Sequence, residues 1–410
     1  MELVETKFNR TEFGEIPVDW VELNLGASSV LKARIGWQGL TTKEYLLSGE
    51  YYLITGTDFK DGYIDWDNCV YVEKLRYDQD KNIQIKVGDV LVTKDGTIGK
   101  IAFIDKVLKP TTLNSGVFVV RPIQNAYFSR YFYYVLMSDH FKEFLRKLTA
   151  GSTISHLYQK DFIRYNLPLP PTLHEQKAIA NALSDVDTLI AELDSLIEKK
   201  IAIKKGAMQQ LLTPPHKGGK RLPGFQGEWE LKTIEEIADC LDFLRVPLNG
   251  EQREKMKGDI PYCGANGIVD YVDDYVIDDD IILMAEDGGY FDEYKDRPIA
   301  YRIIGKCWVN NHAHILKAKP NYNQDYLFYS LVHKNILDYI NGGTRAKLNK
   351  GEMNKIEVWI PNSKTEQEQI SIILNGMDIE LVSLLDGVIK YQEIKQGMMQ
   401  ELLTGKTRLV

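Results

Sequence analysis

Two glycine turns hold the residues best placed for chemistry, LVTKDGTIGK (91–100) and ILMAEDGGYF (282–291). Glycine lets a backbone come close to a ligand, and Lys94, Asp95, Thr97 and Asp287 set charges and a hydroxyl beside it. The first turn is not a phosphate loop. That loop would need glycine at 94 and Ser or Thr at 101, where this sequence has Lys94 and Ile101. His312 and His314 share a strand face, but no cysteine or carboxylate stands at a zinc spacing, so they read as ordinary surface or half-buried histidines. The acidic run DDYVIDDD (273–280) lacks the glycine and spacing of a calcium loop and reads as a solvated loop. The Asn/Asp-Pro-Pro-aromatic pattern of amino-group methylation is absent, since LPPT and TPPH lack both the polar first residue and the aromatic.

The elements that position these residues come from the wider chain. Its 410 residues allow two or three domains, and 44% hydrophobic with 26% charged residues is ordinary for a globular protein. No apolar run approaches the roughly 18 residues of a membrane span, and the stretch MELVETKFNR lacks the apolar run expected of a secretion signal. Cys69, Cys240, Cys263 and Cys307 are scattered and form no CxxC pair, which argues against a zinc site and a disulfide framework and fits a reducing cytoplasm. The net charge of −8 weighs against nucleic acid unless local charge decides, as it can when screening acts beyond about 8 Å. Basic groups do cluster, at Lys94 and Lys100, at Arg345, Lys347 and Lys350, and at Lys217, Lys220 and Arg221.

AIKKGAMQQLLT (202–213) returns as EIKQGMMQELLT (393–404). Sliding 175–213 onto 366–404 without a gap makes 15 of 39 positions identical, an internal duplication. Both copies read as one long helix. Thr172 with Glu175 and Ser363 with Glu366 fit capping boxes, and prolines precede each start. Ile179, Leu183, Val186, Ile190, Leu193 and Ile197 form a heptad seam, matched by Ile370, Leu374, Met377, Leu381, Leu384 and Val388. The simplest partner of each helix is its own repeat, packed antiparallel about a pseudo-twofold axis.

The segments before the helices match loosely: a Trp near the start, a glycine turn, an apolar strand into a second glycine turn, a strand ending in Pro, and a short helix. A constant frame with two divergent heads suggests two different things read at a fixed separation. The predicted fold is α+β, two mixed α/β heads joined by two long antiparallel coiled-coil helices. The predicted domains are 1–171 and 214–362 for the heads, 172–213 for the first helix, and 363–410 for the second helix with its tail.

LPLPPTLHEQKAIANALSDVDTLIAELDSLI, IKKGAMQQLLT followed by GKRLPGF, PYCGANGIVDYVDDY and GDVLVTKDGTIGK resemble specificity subunits of type I restriction-modification systems. The resemblance covers essentially the whole chain. The second helix start, IPNSKTEQEQI, and the acidic EDGG turn depart from the usual pattern. The resemblance implies two target recognition domains reading the halves of a split, asymmetric DNA site, with the helices as spacers. It implies a non-catalytic chain in the cytoplasm with no cofactor of its own. S-adenosylmethionine would belong to two adenine-methylating modification subunits, and ATP and magnesium to restriction motor-nuclease subunits. Base edges are read by amides, hydroxyls and a few cations on glycine-rich loops. The candidate DNA contacts are Arg34, Gln38, Thr57, Lys94, Asp95, Thr97 and Asn114 in the first head. In the second they are Asn266, Asp287, Tyr290, Asn310, Asn311 and Arg345. The competing reading is a coiled-coil scaffold that spaces two protein-binding heads. Because catalytic motifs are missing, the purified chain alone is expected to transfer no methyl group and cut no DNA; S-adenosylmethionine-dependent methylation by the pure chain would refute this.

Overall fold

The computed structural model describes residues 7–11, 14–149, 156–342 and 346–409. The chain divides into two compact units, Met1–Leu193 with Gly387–Val410, and Asp194–Asp386. Four helices organise them: α1 (Ser129–Met137), α2 (Leu173–Leu211), α3 (Gln324–Leu331) and α4 (Lys364–Leu402). The two heptad stretches are therefore single helices, each contributing one segment to each unit.

In the first unit the start of α2 packs on the end of α4. Ile179 and Leu183 share a core with Leu402 and Leu403, against Met398 and Met399. In the second unit Ile370 and Leu374 of α4 pack against Met208, Leu211 and Leu212 of α2. Polar pairs fix the register. Lys395 meets Asp187 in one unit and Lys204 meets Asp378 in the other. Tyr134 donates to Asp187 and Tyr329 to Asp378, both at 2.7 Å. Rising numbers along α2 meet falling numbers along α4, so the segments run antiparallel in each unit. The offset that aligns the sequences also converts one set of contacts into the other.

The capping boxes form by half. The Glu175 amide donates to Thr172 Oγ1 at 3.2 Å and the Glu366 amide to Ser363 Oγ at 3.3 Å. The carboxylates do not return to the cap but turn inward, where Glu175 is 1% and Glu366 0% exposed. Arg408 holds Glu175 through Nε at 2.5 Å and a second nitrogen at 2.9 Å. Arg221 holds Glu366 at 3.1 and 2.7 Å. Each arginine lies just beyond the end of the other long helix. The neighbouring glutamines latch the heads. Gln176 donates to the Pro170 carbonyl and accepts from the Phe128 amide, next to α1. Gln367 does the same with Pro361 and Asn323, next to α3.

The first head has a four-stranded antiparallel sheet ordered Ile101–Phe103, Val90–Thr93, Val117–Pro122, Ser29–Lys32. Beside it Tyr51–Ile54 pairs in parallel with Thr111–Leu113 and antiparallel with Val70–Val72. The second head gathers six strands into one sheet, centred on Ile277–Ala285 and Ala300–Val309. Each head closes with an antiparallel pair just before its long helix, Val21–Asn24 with Asn166–Leu169 and Trp229–Thr233 with Glu357–Pro361. The run 273–280 is not a free loop: its end enters a strand, Asp280 pairs with Arg302 and Asp279 with Lys317.

Glu366→Ala would strand Arg221 without its carboxylate and is expected to cost about 3–5 kcal/mol, as is Glu175→Ala through Arg408. Denaturant unfolding of the two variants checks this, and a loss within about 0.5 kcal/mol for either would show that the carboxylate holds nothing.

Candidate nucleic-acid interface

The turn after Val90–Thr93 and the turn after Ile277–Ala285 are built alike. In the first head the Lys94 amide donates to the Gly116 carbonyl at 2.9 Å, and the Leu157 amide donates to the Lys94 carbonyl at 2.8 Å. In the second the Glu286 amide donates to the His312 carbonyl at 2.8 Å, and the Leu348 amide to the Glu286 carbonyl at 2.7 Å. A third stretch joins through the Asn114 amide on Ile54 O at 2.9 Å and the Asn310 amide on Cys263 O at 3.0 Å. Thr57 thus corresponds to Asn266, Lys94 to Glu286, Asp95 to Asp287 and Asn114 to Asn310.

In the first head, Thr57, Lys94, Asp95, Thr97 and Asn114 come together. The Gly56 carbonyl accepts from Lys100 Nζ at 3.2 Å, and a Cβ on Gly116 would lie 3.6 Å from the Asp95 side chain. Thr57 and Thr97 are exposed, and the Lys94 ammonium lies over the Phe118 ring at 5.4 Å. Asp95 pairs with His156, and Asn114 donates to the Tyr45 hydroxyl at 2.6 Å. Arg34 does not belong to this surface. It is 1% exposed and donates to Leu113 O, Arg76 O, Thr112 Oγ1 and Gln79 Oε1, so its guanidinium pins the strand beneath Asn114. Gln38 is also buried, at 7%.

In the second head, Asn266, Asp287, Asn310 and Asn311 come together. Asn266 Nδ2 donates to Gly288 O at 2.8 Å, His312 lies 2.7 Å from Asp287, and Asn310 Oδ1 accepts from the His312 amide at 2.8 Å. Asn266 and Asn311 are exposed, while Asn310 is 7% exposed. The Tyr290 ring is covered by the Arg297 guanidinium. Arg345 lies outside the described residues.

Sequence reasoning missed the ions behind this turn. Glu286 is bound by Arg245 and by Lys347, the latter at 2.8 Å. Burial opposes the charge on Glu286, but Lys347, Arg245 and His314 outweigh it and hold its carboxyl below the usual range. The charge of Glu286, one of the two carboxylates of the EDGG turn, is thereby balanced by Arg245 and Lys347. His314, expected at the surface or half-buried, is 1% exposed and bonded to Asp242 at 2.7 Å. Cys240 Sγ, an Asp242 carboxylate oxygen and a His314 ring nitrogen lie within 4.8 Å of one another. Both ring nitrogens of His314 already face acceptors, and Arg245 stands 3.1 Å from the same Asp242 oxygen, so an ion cluster with its own cations fills the place. Arg221, counted among the basic clusters, is spent on Glu366, and Lys217 lies 4.8 Å over the Trp359 ring. One signal was available, because the offset of the helix repeat also carries His156 and Leu157 onto Lys347 and Leu348.

Each unit also has a groove beside the end of a long helix, about 610 Å³ in the second unit and about 660 Å³ in the first. Met208, Gln209 and Leu212 line one, and their repeats Met399, Gln400 and Leu403 line the other.

A family model described as type I restriction modification DNA specificity domain matches residues 17–203 and again 226–392. The chain belongs to the type I specificity subunits. It is a DNA sequence-recognition subunit rather than an enzyme, with two specificity domains in an α+β fold. A putative MjaX specificity subunit of Methanocaldococcus jannaschii is 26% identical over 99% of this chain and 97% of its own length. A putative specificity subunit of Haemophilus influenzae is 34% identical, over 38% of each chain. A crystal structure of the S subunit from M. genitalium shares the fold, with TM-score 0.64 and 18% identity over 98% of both chains. No helix among the described residues is long and apolar enough to cross a membrane.

Within this specificity subunit, Arg34→Ala is expected to destabilise the first head by about 3 kcal/mol, because several buried acceptors lose their donor. Exposed Thr97→Ala should stay within about 0.5 kcal/mol. Thermal or denaturant unfolding separates the two, and equal effects would contradict the assignment of Arg34 to the interior.

Proposed function

We propose that the two glycine turns and the stretches joined to them are the DNA-reading surfaces, each contacting one half of a split, asymmetric site. The observation that carries this is the correspondence of places with divergence of chemistry. One frame presents Thr57, Lys94 and Asn114 in the first head, and Asn266 and Glu286 in the second, where Asn310, as buried as Gln38, holds the His312 amide from beneath. Thr97, Asp95, Asp287, Asn311 and Arg345 complete the proposed contacts, with Tyr290 at the margin. Arg34 acts from beneath by holding backbone, and Gln38 is buried away from the surface. The exposed amides and hydroxyls suit base edges, and the neutralised Glu286 removes an obstacle to phosphate.

The same symmetry supports two partners. Grooves of similar volume, lined by the same repeated residues, suit two copies of one protein, and the resemblance names it as the modification subunit. Restriction subunits would join that assembly. The chain itself would need no cofactor; S-adenosylmethionine, ATP and magnesium would serve the partners, in the cytoplasm. Modest affinity of the chain alone for DNA would follow from its net charge of −8, with most phosphate contacts made by partners.

The helices would then act as a ruler. Four helix-forming residues inserted after Leu189 and four more after Glu380 add about 6 Å of rise and keep the seam nearly in phase. With the complex assembled, both half-site sequences are expected to persist while the unspecified gap between them grows by about one or two base pairs, at roughly 3.4 Å per step. Insertions of two residues at the same points should abolish assembly. Mapping of methylated adenines reads the outcome, and an unchanged gap with full activity would remove the ruler role.

A further inference from the structure

We propose that His314 is a charged positioning residue which fastens the reading surface of the second head, so that recognition of that half-site fails at alkaline pH. The proposal rests on the reading of this head as DNA-facing.

The geometry defines the ring's charge. Nε2 lies 2.8 Å from the Leu348 carbonyl, which can only accept, so Nε2 carries a proton. Nδ1 lies 2.7 Å from Asp242 Oδ2, and an ionised carboxylate also only accepts, so Nδ1 carries one too. A ring with both nitrogens protonated is a cation, here 1% exposed. The charged groups facing it come from every neighbouring stretch. Asp242 follows the strand Ala238–Cys240, and its other oxygen accepts from the Ile315 amide at 2.9 Å. Glu286 stands 3.8 Å from Nδ1, at the end of Ile277–Ala285. Arg245 bridges Asp242 and Glu286, and Lys347 pairs with Glu286. Cys240 lies beside the ring.

Loss of one proton turns a donor into a lone pair facing either Asp242 or Leu348 O. The second contact matters for reading, because the Leu348 amide also fastens the Glu286 carbonyl at 2.7 Å. Glu286 begins the turn on which Asp287 and Gly288 meet His312 and Asn266. Slackening at Leu348 therefore reaches the proposed contacts. In the first head the place equivalent to His314 is held by buried Phe118, which carries no proton to lose, so loss of this kind is confined to the second.

Burial works against a charge on His314, but Asp242, Cys240 and the Leu348 carbonyl outweigh it and push its pKa up to about 9. A cation held more firmly folded than unfolded stabilises fully below the ordinary histidine value of about 6.5. That stabilisation is lost as pH rises through about 9.

Two measurements test this. In the intact chain labelled at histidine Cε1, one of the seven histidines should titrate near the alkaline end of a series from about pH 6 to about pH 10. That resonance should vanish in His314→Gln. In parallel, the chain assembled with its modification subunits selects sites from duplexes randomised in both halves, at neutral and alkaline pH. Preference for the second head's half-site should fall about tenfold at alkaline pH while the first is kept. His314→Gln should show at neutral pH what the wild type shows at alkaline pH; if that variant fails to fold, Asp242→Asn and the wild-type pH profile decide. Seven ordinary titrations, or parallel loss at both half-sites, would overturn the proposal. A wild-type complex that selects no sequence in the second half at any pH would overturn the DNA reading itself and leave the alkaline resonance standing.

Discussion

The frame depends on two buried carboxylates that must not be left alone. Glu175 and Glu366 sit at the starts of the long helices with almost no contact with water. An ionised carboxylate in such a place is costly unless paired, and each finds its guanidinium just past the end of the other helix. A buried pair of this kind is weak evidence of net stability, since an apolar substitute of equal volume is often as good. What it supplies is selection. Only the antiparallel register that brings Arg408 to Glu175, and Arg221 to Glu366, leaves no buried charge unmet. The pairs Lys395–Asp187 and Lys204–Asp378 repeat that requirement further along each helix.

Once the frame is fixed in this way, the heads are free to diverge. Gln176 and Gln367 latch each head through backbone groups, which do not depend on the head's own side chains. The glycine turns are likewise joined through backbone bonds at Lys94 and Glu286. A lysine can therefore change to a glutamate at the same place without moving the main chain. The second head meets the new charge with Arg245 and Lys347, and with a buried histidine behind them.

The helices were legible because periodicity is a local signal carried on a long stretch. The starts, the seam, the antiparallel pairing and the division into two matching heads all came from residues a few positions apart or from the duplication itself. The partners of charged residues were not legible. Arg34, Arg221 and Arg408 are cations in the sequence, and nothing nearby shows that they face Leu113 O, Glu366 and Glu175, which lie 79, 145 and 233 positions away. Arg34 therefore read as a DNA contact, Arg221 as part of a basic patch, and Arg408 as tail. The acidic 273–280 run read as loop because its pairing with Arg302 and Lys317 arises only when the strands assemble. The turn residues Thr57, Lys94, Asp95, Asn266 and Asp287 were singled out because glycine punctuation marks them, and the fold gathers them into equivalent places in the two heads.

The central claim is that a constant frame carries two independent readers. Exchange of residues 222–341 for the corresponding head of another specificity subunit tests it most directly, with methylated adenines mapped across a genome exposed to the assembled complex. The account predicts that one half of the recognised site changes while the other half and the gap remain. Simultaneous change of both halves in a folded, active chimera would contradict it.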